Sequence, residues 1–143
     1  MQLYYMHNSK HGFQVDYVDV RTSDGLIDIL LGELPYIAKD GTNYKAPVGG
    51  TTDGLSVPRC IQNIIPATGG DWFSGVLHDS AYRNQLMVFK NEEWIKADLT
   101  REQADDLMLE AMESQGCNIV MRHTIYRALR MFGWKAYNDN RKK

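Results

Sequence analysis

Cysteine is scarce: Cys60 and Cys117 are the two in 143 residues. That excludes a disulfide framework and makes two reduced, buried thiols a simpler reading than a single bridge. Neither sign of charge is in excess. With a formal net charge of -2, the chain as a whole has no electrostatic footprint for nucleic acid. No apolar run approaches the length of a membrane span. The opening MQLYYMHNSKHG has no charged segment followed by a continuous apolar one, so no signal peptide is read there and synthesis in a cytoplasm is expected. A P-loop, a dinucleotide fingerprint and a CxxC redox pair are all missing, as are internal repeats and low-complexity segments.

What is present is an ordinary globular composition, 43% hydrophobic and 24% charged. The length suggests one domain, residues 1–143, able to build a core without crosslinks. Residues 1–11 are expected to be loosely ordered and 138–143, ending in NRKK, to be a solvated tail. Between 12 and 50 the pattern predicts a small antiparallel sheet. FQVDYVDV offers Phe13, Val15, Tyr17, Val18 and Val20. LIDILLGELPYIAK, interrupted by Gly32 and Pro35, reads as strand, bend and strand. Asp40-Gly41 predicts a type I′ hairpin turn, placing Tyr36, Ile37, Tyr44 and Val48 on short paired strands. Residues 51–71 read as a long loop. The wider stretch APVGGTTDGLSVPRCIQNIIPATGG holds five of the twelve glycines and three of the four prolines.

Helices are expected from 72 to 137, with spans at about 72–86, 101–115 and 119–137. Asp71 is the expected N-cap of the first, and Phe73, Val76, Leu77, Ala81 and Leu86 its inner face. Residues 88–99 read as a loop or a short hairpin. The second helix has the clearest limits: a capping box from Thr100 to Gln103, an apolar stripe of Ala104, Leu107, Met108, Ala111 and Met112, and a stop at Gly116. On the third, Val120, Ile125, Leu129, Phe132 and Tyr137 are expected to pack inward, with a bend or break at Gly133. The predicted class is α+β, a small N-terminal antiparallel sheet packed beside a C-terminal three-helix layer.

The stretch GVLHDSAYRNQ sets an apolar approach against His78, Asp79, Tyr82 and Arg83. On a helix His78 and Tyr82 share one face, and Asp79 and Arg83 the next. Histidine is the side chain most readily used as a general base near neutral pH, and it needs an orienter. Asp105, at the edge of the second helix's apolar stripe, is the best candidate, whereas Asp106 falls toward solvent. A buried Asp105 requires a partner, from His78, Tyr82 or Arg101. A satisfied core histidine beside a surface carboxylate gives the same local pattern.

The ordered motifs resemble the DUF1353 family of phages and prophages. Tyr44, Pro47, Gly49, Thr52, Asp53, Ser56, Pro58 and Arg59 carry its first part. His78, Asp79, Tyr82 and Arg83 follow, then Arg101, Ala104, Asp105, Ala111 and Met112. Arg122, Tyr126, Ala128, Arg130, Phe132 and Gly133 complete it over about residues 40–135. The resemblance implies a phage origin and no particular reaction. HDSAYRN followed by REQADDLMLEAMESQGC also looks like the two catalytic helices of the phospholipase A2 superfamily. That resemblance implies His78 activating water, Asp79 binding calcium, Asp105 orienting His78 and Tyr82 supporting Asp105. VGGTTDGLS and ATGGDW do not match that superfamily's calcium loop, and the disulfides of its secreted members are missing.

Within TTDGLSVPR, Asp53 competes between two roles, a second hard oxygen ligand beside Asp79 and a loop lock with Arg59. Ser56 lacks a nucleophile elbow. Zinc would need His78, Asp79, Asp53 and His123 to converge, while His7 and His11 offer only an i,i+4 numbering. Arg122, Arg127, Arg130 and Lys135, interspersed with Tyr126, Phe132, Trp134 and Tyr137, read as a solvated basic face backed by core aromatics. The expected function is a phage-associated hydrolase of an ester or related acyl bond. It uses His78, Asp105 and Tyr82, with a divalent cation, calcium before zinc, at Asp79 and Asp53. The alternatives are a non-enzymatic phage accessory or virion structural protein, or a host-factor-binding protein. The partners expected are a virion or host protein and a lipid or cell-wall substrate, without specific nucleic acid. The location expected is the host cytoplasm on synthesis and the virion afterwards.

Overall fold

The computed structural model describes residues 11–22, 28–52 and 71–141. Among them are eight strands and four helices in an α+β arrangement. One antiparallel sheet has the order β1 (Gly12–Phe13), β4 (Leu34–Ile37), β5 (Asn43–Ala46), β7 (Met87–Lys90) and β8 (Glu93–Lys96). A second has the order β2 (Val20–Thr22), β3 (Asp28–Leu30) and β6 (Thr51–Thr52). The helices are α1 (Asp71–Tyr82), α2 (Arg101–Ser114), α3 (Ile119–Phe132) and α4 (Trp134–Arg141).

The strand, bend and strand expected around Gly32 are β3 and β4, which lie in different sheets. FQVDYVDV is not one strand, because the chain changes sheets within it: β1 pairs with β4 and β2 with β3. Tyr17 is correspondingly exposed, while Val15, Val18 and Val20 pack against Leu30, Leu34, Ala46 and Val76. Tyr36 pairs with Tyr44 across β4 and β5 as expected, but Val48 lies beyond β5 in a turn and is exposed.

Asp40-Gly41 does not form a type I′ turn. The Gly41 N–H donates to Ala38 O and the Ala38 N–H to Thr42 O, both at 2.9 Å, and Gly41 alone of the pair has positive φ, at 88°. A type I turn followed by a left-handed glycine also fits strand twist. The Thr42 N–H donating to Asp40 Oδ1 at 2.9 Å holds that turn. The type I′ geometry occurs instead between β7 and β8, at Asn91 and Glu92, with φ of 52° and 65°. That hairpin joins the first sheet through β5, so the sheet extends beyond residue 50. Thr51 and Thr52, placed in the long loop on sequence grounds, pair with β3.

Helix α1 runs from Asp71, expected as its cap, and ends at Tyr82 rather than at 86. Leu86 is buried outside it. Helix α2 has both halves of the Thr100–Gln103 capping box. Its end is a Schellman motif, with Gly116 N–H donating to Glu113 O and Cys117 N–H to Met112 O, both at 3.0 Å, and Gly116 at φ 78°. The whole expected stripe, Ala104, Leu107, Met108, Ala111 and Met112, is buried. Its Ala104, Leu107 and Ala111 pack with Tyr36, Leu77, Ala81 and Tyr82, and its Met108 and Met112 with Ile125 and Leu129. Helix α2 therefore lies between α1 and α3.

The expected third helix is two, broken at Gly133, and the second part reaches Arg141 where a tail was expected. Val120 and Phe132 are exposed, against expectation. The buried face of α3 is Ile125, Ala128 and Leu129, and Val120 lies some 140° around the helix from Ile125. Phe132 ends the helix where the chain turns and brings the Tyr137 ring edge-on to Tyr82, 5.3 Å between centroids.

Gly133 is needed for space rather than for its backbone angle. A Cβ there would lie 2.5 Å from Tyr82 Oη and 2.6 Å from Leu129 O. Gly133→Ala should therefore destabilise the fold by about 1–3 kcal/mol, the usual cost of overpacking. Gly32→Ala, with nothing within 4 Å of the added carbon, should change stability by less than about 0.5 kcal/mol. Urea unfolding of the two variants checks the contrast.

Candidate active site

His78 lies on α1 with its side chain turned inward. Val76 and Leu77 before it and Ala81 and Tyr82 after it are buried, and His78 itself is 1% exposed. Facing it, Asp105 lies within the apolar stripe of α2 and is 0% exposed. The two side chains meet, with His78 Nε2 2.8 Å from Asp105 Oδ1. Tyr82, one turn after His78, donates its hydroxyl to the same oxygen at 2.7 Å. The His78 and Tyr82 rings pack with centroids 4.0 Å apart.

The other carboxylate oxygen is held from α3. Arg130 Nη1 donates to Asp105 Oδ2 at 2.9 Å. Sequence reasoning proposed Arg101, one turn before Asp105, and missed Arg130 in this role. Arg101 Nη1 is 3.8 Å from Oδ2, and its hydrogen bonds go to Leu129 O and Arg130 O, at 3.0 and 3.2 Å. It thus binds the carbonyl end of α3, where a cation is favourable, and so fixes the backbone that carries Arg130. Helical phase within α2 could suggest Arg101, but only the packing of α3 on α2 could reveal Arg130.

The electrostatics follow from these contacts. Burial pushes the Asp105 carboxyl up, but the hydrogen bonds from His78, Tyr82 and Arg130 outweigh it and hold the group below its ordinary range. Burial first, then the bond to Asp105, pushes the Tyr82 hydroxyl well above its ordinary value. Asp105 is therefore ionised and Tyr82 neutral near pH 7. An ionised carboxylate only accepts hydrogen bonds, so His78 Nε2 carries the proton it donates. In the neutral ring, Nδ1 then holds the lone pair. Nδ1 is buried and has no hydrogen-bond partner among the described residues. Ser80 Oγ on the same helix is also unpartnered, but it belongs to no network. A buried nitrogen with a free lone pair, in a ring fixed through its other nitrogen, has the geometry from which an oriented general base could act.

Asp79 is 2% exposed rather than on the surface, and Thr52 Oγ1 donates to its Oδ2 at 2.6 Å. Arg83 does not face Asp79 in an ion pair. Its Nη1 donates to Thr51 Oγ1 at 2.7 Å, while Gln85 Oε1 accepts from the Thr51 N–H at 3.0 Å. Strand β6 is thus pinned to α1 and the turn after it. Gln85 was missed, because a polar residue after a helix carries no distinctive spacing signal. Asp53, Ser56, Arg59, Cys60 and His7 lie outside the described residues. Among the described residues, no three or more His, Cys, Asp or Glu side chains are grouped to hold a metal ion. His11 bonds to Tyr36 Oη at 2.8 Å, and His123 lies exposed on α3.

Fold and site together define an α+β protein with a His–Asp–Tyr–Arg network buried where three helices meet. Residues 29–129 match the family model described as "Protein of unknown function (DUF1353)", and the chain belongs to that family. No curated protein and no solved structure matches.

Asp105→Ala leaves Tyr82, His78 and Arg130 without their shared acceptor, and should cost about 3–5 kcal/mol in chemical unfolding. The lowered carboxyl value sets the pH dependence. Asp105 stabilises the fold fully above about pH 5, and the effect is lost as pH falls from about 4 through the folded-state value. The stability gap between wild type and Asp105→Asn should therefore shrink between pH 7 and pH 3. A gap that widens on acidification contradicts the assignment.

Proposed function

We propose that the protein is a hydrolase of an ester or related acyl bond, with His78 as its general base. The observation that carries this reading is the unpartnered Nδ1 of a ring held through Nε2 by Asp105. Water bound at Nδ1 gives up a proton to it as the oxygen attacks the acyl carbon. The imidazolium formed is stabilised by Asp105 through the Nε2–H bond. As the tetrahedral adduct collapses, the proton passes from Nδ1 to the leaving alkoxide, giving an alcohol and a carboxylic acid, which then releases its proton to water. Tyr82 holds Asp105 in position. Arg130 keeps it ionised. These roles agree with what the phospholipase A2 resemblance implies for His78, Asp105 and Tyr82.

A divalent cation at Asp79 with Asp53, calcium before zinc, is a separate part of the proposal, and no step above is routed through it. Titration calorimetry with each metal on wild type and Asp79→Asn tests it. Association with a phage, synthesis in a host cytoplasm and later carriage with the virion rest on the phage and prophage motifs alone. A second reading draws on the same network. One carboxylate pinning three helices is also what a non-enzymatic accessory or virion structural protein, or a host-factor binder, would need.

The test is hydrolysis of phospholipids, peptidoglycan and simple acyl esters, with and without calcium. On a cleaved substrate His78→Ala should lower kcat by about 10²–10⁴-fold, the usual weight of a general base. Asp105→Asn should also lower kcat. A substrate cleaved equally by all three proteins contradicts this mechanism, and virion-protein binding undiminished in both variants favours the second reading.

A further inference from the structure

Large apolar side chains are unevenly exposed. Of the ten such residues exposed among the described residues, five lie on α3 and the start of α4: Ile119, Val120, Met131, Phe132 and Trp134. Val120, Thr124, Arg127 and Met131 follow one another at spacings of four, three and four, so they form one stripe along α3. It lies on the side of the helix away from Ile125 and Leu129, which face α2. Thr124 Oγ1 is turned back to Val120 O at 2.7 Å and needs no outside partner.

Charge on this segment is one-sided. From Ser114 to Asn138 there is no Asp or Glu, while Arg122, Arg127, Arg130 and Lys135 are present, and the sequence ends Arg141, Lys142, Lys143. Arg122, Arg130 and Lys135 are paired with Glu113, Asp105 and Asp139, but Arg127 lies exposed beside the apolar stripe. The chain as a whole has a net charge of -2, so this cationic segment departs in sign from the rest.

We propose that the outer face of α3 and the start of α4 docks on an anionic lipid surface. An exposed helix face with aliphatic and aromatic side chains beside an exposed cation, Arg127, suits the boundary between headgroups and acyl chains. The apolar groups enter the boundary and Arg127 meets anionic headgroups. Nucleic acid would satisfy Arg127 but leave Ile119, Val120 and Met131 without an apolar partner. Pairing with a second copy would set Arg127 and like charges against each other. The inference deepens the hydrolase reading by placing its acyl substrate at a bilayer, and it rests on that reading only for substrate identity.

Binding is measured on the His78→Ala protein, so that failure here is distinct from failure of the catalytic reading. Phosphatidylglycerol vesicles at about 0.1 M salt should sediment the protein at least about tenfold more strongly than phosphatidylcholine vesicles. Val120→Asp with Met131→Asp should abolish the difference, and Arg127→Glu should weaken it, with circular dichroism unchanged in each. These positions are exposed, so the substitutions leave the core alone. Equal partition to both vesicles, no binding, or undiminished binding by the double variant overturns the proposal. So does displacement of the protein from vesicles by a single-stranded oligonucleotide, or a dimer in sedimentation that the double variant dissolves.

Discussion

The carboxylate of Asp105 is the contact on which the helical half of the protein depends. Fully withdrawn from water, an ionised carboxylate is costly unless donors surround it. Here the donors come from α1 and α3. His78 and Tyr82 reach one oxygen and Arg130 the other. The spacing of α1, α2 and α3 is thus set by one acceptor. Gly133 belongs to the same constraint, since the Tyr82 hydroxyl that meets Asp105 occupies the space where a Cβ would stand.

That constraint also separates the two nitrogens of His78. Nε2 is committed to a charged acceptor, and Nδ1 is left without a partner among the described residues. A network serving packing alone would gain by satisfying both. Asp79, next in the chain, serves strand β6 through Thr52, so the adjacent acidic residue joins helix to sheet while the histidine joins helix to helix. The acyl-transfer proposal rests on this division of tasks.

Much of the site was legible in the sequence because helical phase is a strong signal. The positions of His78 and Tyr82 on one face, and of Asp105 beside Ala104 and Met108, follow from a period of 3.6. Capping chemistry likewise placed both ends of α2 at Thr100 and Gly116. Tertiary decisions were less legible. Arg130 reads locally as one more cation on a basic helix, and only the approach of α3 to α2 turns it toward Asp105. Asp40-Gly41 suits several turn types, and backbone register chose among them. The strand expected through Val15 and Tyr17 failed because the chain crosses there between two sheets. Phe132 and Trp134 were expected in the core, since aromatic residues near a helix usually pack. The break at Gly133 leaves both outside, where they contribute to the exposed apolar face.

The central claim is that an ionised Asp105 fixes the tautomer of His78 and leaves Nδ1 as the basic nitrogen. Nitrogen-15 chemical shifts of His78 in labelled protein at about pH 8 report this directly, because protonated and unprotonated ring nitrogens are well separated. The account predicts a protonated Nε2 and an unprotonated Nδ1 in wild type, with that preference lost or mixed in Asp105→Ala. A wild-type ring protonated at Nδ1 and bare at Nε2 would contradict it.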